Sequence, residues 1–125
     1  MPLAKREEIR MMFGGRCAYC GESLGGRWHL DHVVAVCRND AGKMRKPQND
    51  REGNFFPACS KCNILKGPGS PEDLRRALSY MAESVPRIRT YSHVRHLMRF
   101  GKLTIDSKPV VFWYEKYKAR PAQEG

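Results

Sequence analysis

Two C-x-x-C pairs, a β-prone run between them and helix-period segments on either side predict an α+β fold, a small domain with a zinc-stapled core and flanking helices. The chain has 125 residues, enough for one domain with one modest core. A core of that size gains from a staple.

Residues 4–13 read as a short helix, with Ile9, Met12 and Phe13 on one face. Gly14-Gly15 ends it. The first pair follows as Cys17-Ala-Tyr-Cys20, and the second is Cys59-Ser-Lys-Cys62. Two such loops supply the four thiolates of a tetrahedral zinc site. The other reading is disulfides or buried thiols. MPLAKREEIR carries no apolar signal stretch, so a reducing, cytoplasmic compartment is expected, where disulfides are rare. Four sulfurs leave no open coordination position, so the zinc would be structural. Cys37 has no partner in the sequence and reads as a small buried hydrophobe.

The gap between the pairs is 38 residues, well beyond the roughly 15–20 of the commonest ribbon spacing. It holds a β-like run at 28–36, Trp-His-Leu-Asp-His-Val-Val-Ala-Val. A polar, turn-rich loop spans roughly 38–53, and an apolar stretch, Gly53-Asn-Phe-Phe-Pro-Ala58, precedes the second pair. Residues 60–66 read as a short helix closed by Gly67 and Pro68.

Residues 71–83 form the next helix, with Ser70 as N-cap, Pro71 in the first position and Glu72 and Asp73 at the positive end of the dipole. Its stripe is Leu74, Ala77, Leu78 and Met81. Val85-Pro86 separates it from a third helical pattern at 87–100, with Tyr91, Val94 and Met98 opposite Arg89, Arg95, His96 and Arg99. Residues 109–114, Pro-Val-Val-Phe-Trp-Tyr, are the most β-prone run. Trp113 and Tyr114 could stack on bases, but such a run more often packs in a core. Lys116, Lys118 and Arg120 follow as a basic tail.

The formal net charge is +10, and residues 85–125 carry nine Lys plus Arg against three acids. That balance points to a polyanionic partner, nucleic acid first. An apolar fraction of 41% argues against a disordered basic tail. No run of about 18 apolar residues exists, so no membrane span is expected.

Asp31-His32 at the end of a strand, Asn54 after a loop, then Cys59-Ser-Lys-Cys62-Asn63-Ile-Leu-Lys66-Gly67 resembles the HNH nuclease superfamily. The resemblance covers Cys17 to Gly67, about two fifths of the chain, and is similar to small phage HNH proteins and to recombination and junction-resolving endonucleases. It implies a ββα-metal (His-Me finger) core at 14–67 within a single nuclease domain over 1–125, with a helical and basic extension at 70–125. It also implies a metal-dependent DNA endonuclease, phage or mobile-element encoded and working in the host cytoplasm. A homodimer or a phage protein could be a further partner, although no dimer seam is visible.

Residue by residue, the resemblance makes His32 the general base that activates water, and Asp31 and Asn63 the ligands of a catalytic cation. Asn54 holds the loop that orients the histidine. The third position, often His in the family, is Asn63 here, and oxygen donors from Asp and Asn suit Mg²⁺ or Mn²⁺. The chemistry is consistent, because imidazole titrates near neutrality and can accept a proton from water. Other readings stay open. His32 could be an ordinary half-buried histidine, and Asn63 a helix cap. His29 could touch metal or phosphate, orient Asp31 or contact DNA. Lys66 could reach a phosphate or be a solvated helix end. Arg89, Arg95 and Arg99 are candidate DNA contacts. The alternative function is a non-catalytic zinc-containing DNA-binding module. Adjacent strand residues point to opposite faces, so Asp31 and His32 can share a site only if the strand ends or bulges there.

Overall fold

The computed structural model describes residues 2–118. The chain is α+β and divides into two compact units, one comprising the chain up to Pro71 together with the stretch from Val111 on, the other Glu72–Val110.

In the first unit, helix α1 spans Leu3–Arg10, strands β1 and β2 span His29–His32 and Phe55–Ala58, and helix α2 spans Ser60–Lys66. The strands form one two-stranded antiparallel sheet in which His29 faces Ala58 and His32 faces Phe55. Pro57 sits in β2, which a two-stranded sheet tolerates because each strand is an edge. The expected β-like run is shortened. The strand stops at His32, and Val33 instead donates its N–H to Asn54 O at 3.0 Å. The first cysteine loop is pinned to β2, with Ala18 N–H donating to Pro57 O at 2.8 Å. Residues 60–66 are helical as read, with Gly67 in the left-handed region at φ 56°.

The expected elements at 109–114 and 4–13 are corrected. Residues 109–114 do not form a strand. The chain is extended to Phe112 and then turns into a short helix, Trp113–Lys116. Trp113 and Tyr114 donate their backbone N–H groups to Tyr19 O and Ala18 O. The side chains of Phe112 and Tyr114 join Tyr19 in an aromatic cluster, with Tyr114 also against Phe13 and Phe56. Packing here overrides β propensity. Helix α1 ends at Arg10, earlier than expected, and buries none of its residues, while Phe13 beyond it meets Phe56 edge-on at 5.1 Å.

In the second unit, helix α3 begins at Pro71, just before the unit boundary, and runs to Ser84, as read. Leu74 is its buried residue. The expected helix at 87–100 is broken into 3₁₀ turns at Val85–Arg87 and Arg89–Tyr91 and a helix α4 at Ser92–Arg99. Pro86 lies in the first turn, and Ile88 is extended at ψ 120°. The proline and β-branched Ile88 and Thr90 disfavour a continuous helix. Among the described residues no helix is long and apolar enough to cross a membrane. Arg120 lies outside the described residues.

Candidate functional site

The two cysteine loops converge. The sulfurs of Cys17, Cys20, Cys59 and Cys62 all lie within 4.8 Å of one another, and Cys20 and Cys59 are 3.8 Å apart. Sulfurs about 2.3 Å from one tetrahedral zinc are separated by about 3.8 Å, so the four can hold a metal ion such as zinc. Each loop also turns a backbone N–H onto one of its sulfurs, Glu22 onto Cys20 at 3.5 Å and Cys62 onto Cys59 at 3.4 Å. The Cys62 thiol, donating to Cys17, holds Cys17 down at about 4, and the same bond pushes Cys62 up. Partial desolvation pushes Cys20 up to about 11. Cys37 is set apart from the cluster and is half-exposed, in the left-handed region at φ 51°. It is not the buried hydrophobe expected, because the turn after β1 carries it to the edge of a cavity.

That cavity, about 480 Å³, is lined by Asp31, His32 and Asn63 together with Arg38 and Gly67. Asp31 and His32, neighbours at the end of β1, both line it. His32 sits beside the Phe55 ring, and its Nε2 is 2.9 Å from Asp50 Oδ1. Asn63 lies within α2, whose N-cap is Cys59, so it is not the cap. Its half-buried carboxamide has no hydrogen-bond partner among the described residues.

Asp31 is 3% exposed, and each of its carboxylate oxygens accepts a hydrogen bond. Tyr19 Oη donates to its Oδ2 at 2.5 Å, and Lys66 Nζ to its Oδ1 at 3.3 Å. Lys66 Nζ also donates to His32 O at 3.1 Å. Burial pushes the Asp31 carboxyl above the usual carboxylate range, opposed by the Tyr19 hydroxyl and the Lys66 charge. Burial, followed by the charge of Asp31, pushes the Tyr19 phenol far up, so it remains a donor. The expected phosphate contact by Lys66 is corrected. The side chains of Lys66 and Asp31 are 1% and 4% exposed, and the last turn of α2 directs the lysine inward to its counter-charge.

Asn54 is buried and grips the loop. Its Oδ1 accepts from Val34 N, and its Nδ2 donates to Val34 O and Asn49 O. His29 does not line the cavity. It is exposed, and its Nε2 is 3.2 Å from Ser60 Oγ. Of the arginines, Arg89 is exposed, Arg95 donates to Ile88 O, and Arg99 lies over the Phe100 ring. The sequence reading missed Tyr19 and Asp50 as partners of Asp31 and His32. No spacing signal announces them, since the contacts span 12 and 18 residues.

Oxygen donors from Asp31 and Asn63 share this cavity, and a carboxylate with two hydrogen bonds keeps lone pairs for a hard cation. The donor set therefore fits Mg²⁺ or Mn²⁺ in kind, with the Lys66 ammonium as a competitor on Asp31. No protein family, curated protein or solved structure matches this chain.

Proposed function

We propose that the protein is a metal-dependent DNA endonuclease of HNH type, with a ββα-metal core, hydrolysing phosphodiesters with water activated by His32. The observation that carries this reading is the meeting of Asp31, His32 and Asn63 at one cavity, an acid, an imidazole and an amide drawn from two elements. Asp50 on Nε2 fixes the ring, and with Nε2–H directed at Asp50 the lone pair of Nδ1 takes the proton from water. Asn54 holds the loop behind His32 and so positions it. Asp31 and Asn63 would hold one Mg²⁺ or Mn²⁺, which when bound polarises the phosphate and steadies the leaving oxygen. The four-cysteine cluster, loaded with zinc, fixes α2 against the sheet. Basic residues of the Glu72–Val110 unit and beyond contribute phosphate contacts.

Relaxation of supercoiled plasmid with Mg²⁺, with Mn²⁺ or without added divalent ion, wild type beside His32→Ala, tests this. Cutting only by wild type and only with added metal is expected. Two intact proteins that retard the plasmid without cutting it would favour the non-catalytic zinc module, a reading favoured by the Lys66 ammonium already paired with Asp31.

A further inference from the structure

Asp31, which lines the cavity where a catalytic cation is proposed, is paired with buried Lys66, and that pair bears on how the cation arrives. We propose that Lys66 is the resident cation of the Asp31 site, and that a divalent ion entering the cavity displaces its ammonium from Asp31 Oδ1. This rests on the reading of the cavity as a metal-dependent site.

The geometry separates the two partners of Asp31. Tyr19 is neutral, holds Oδ2 at 2.5 Å, and is compatible with a cation on the same carboxylate. Lys66 is the ion-pair partner, with Nζ 3.3 Å from Oδ1. A Mg²⁺ or Mn²⁺ ion needs carboxylate oxygen at about 2.0–2.1 Å, within a few ångströms of that ammonium. Two such cations repel, most strongly away from bulk water. One of them must leave, and lysine is suited to do so, with a flexible four-carbon stem and three rotatable donors. Asn63, one helical turn before Lys66, supplies an unpartnered carboxamide on the same cavity. The exchange also explains how the site is stable without metal. A buried carboxylate lacking a counter-charge is costly, and Lys66 supplies that charge until a divalent ion replaces it.

The test is Mn²⁺ binding to the zinc-loaded, full-length protein, read by the EPR signal of free Mn²⁺ and independent of cleavage. Lys66→Met should bind Mn²⁺ more tightly than wild type, by about tenfold or more, because one unit of repelling charge is gone. Asp31→Asn should lose this binding. If Lys66→Met fails to fold, Lys66→Gln, which keeps a donor without the charge, makes the same prediction. Neutral variants that bind Mn²⁺ no more tightly than wild type would overturn the exchange. A second measurement uses wild type alone. Lys66 should resist an amine-acylating ester without Mn²⁺ and react faster with it, read by mass spectrometry. Unchanged labelling at saturating Mn²⁺ would also overturn it. The two proposals fail separately, since a wild type that cuts plasmid while its Lys66 variants gain no Mn²⁺ affinity keeps the nuclease and loses the exchange. Tighter Mn²⁺ binding with no cutting by wild type does the reverse.

Discussion

Asn54 concentrates three hydrogen bonds in one buried side chain, and its role follows from their polarity. Val34 N–H needs an acceptor, whereas Val34 O and Asn49 O need donors. A carboxamide offers an acceptor oxygen and two N–H donors at once. Asn54→Ala leaves three backbone groups unpaired, at about 1–3 kcal/mol for each that stays dry. A loss of roughly 2–4 kcal/mol in urea unfolding is expected, since water reaches part of the loop. Asn54→Asp should be at least as damaging at neutral pH, because a carboxylate would face two carbonyls. Unchanged stability in both would remove Asn54 from the loop's support. This position was legible in the sequence through the order of Asp31-His32, Asn54 and Asn63. Tyr19 was not legible as a partner of Asp31. It reads as the variable interior of a C-x-x-C loop, and only the docking of that loop onto β2 brings its hydroxyl to the carboxylate.

At the scale of elements, the second cysteine loop and α2 form one device. Cys59 is both a member of the four-sulfur cluster and the N-cap of the helix carrying Asn63 and Lys66. The two roles can be separated, because serine caps helices well but is a poor zinc ligand. Cys59→Ser keeps a capping oxygen and removes a thiolate. It should therefore lose zinc, measured by atomic absorption, and melt at a lower temperature than wild type, since structural zinc contributes folding free energy directly. A metal-free variant with an unchanged melting curve would show that the cysteines are not a structural zinc site. Helix α2 was legible to its last residue because Gly67 and Pro68 mark its end, although its N-cap, Cys59, reads in the sequence only as a metal ligand. The run at 109–114 was not, because its conformation is set by the carbonyls of Ala18 and Tyr19 and by aromatic partners about 100 residues earlier in the chain. The helix at 87–100 misled for a different reason. Its periodicity is real in α4, but periodicity does not register the 3₁₀ turns around Pro86 and Ile88.

For the whole molecule, net charge is the property that composition shows most directly, and the structure refines which charges are free to act. In the Glu72–Val110 unit, Arg75 and Arg76 pair with Glu72 and Asp73 on their own helix, and Arg95 is spent on a carbonyl. Arg87, Arg89, Lys102 and Lys108 are exposed, and their side chains make no hydrogen bond or ion pair among the described residues. Exposed pairs along a helix contribute little to stability, so the unpaired cations are free for phosphate. If they and the remaining basic residues engage about six or more phosphates, affinity for duplex DNA should fall by about 10³-fold or more between about 50 and 200 mM salt. Replacing Arg87 and Arg89 by Ala should weaken binding evenly across sequences and make the log–log salt slope shallower by about two, one for each lost contact. The comparison uses His32→Ala as the parent, so that cleavage does not consume the probe. A flat salt response in the parent would rule out an electrostatic grip on DNA. An unchanged slope in the double variant would place the grip elsewhere, on the remaining basic residues.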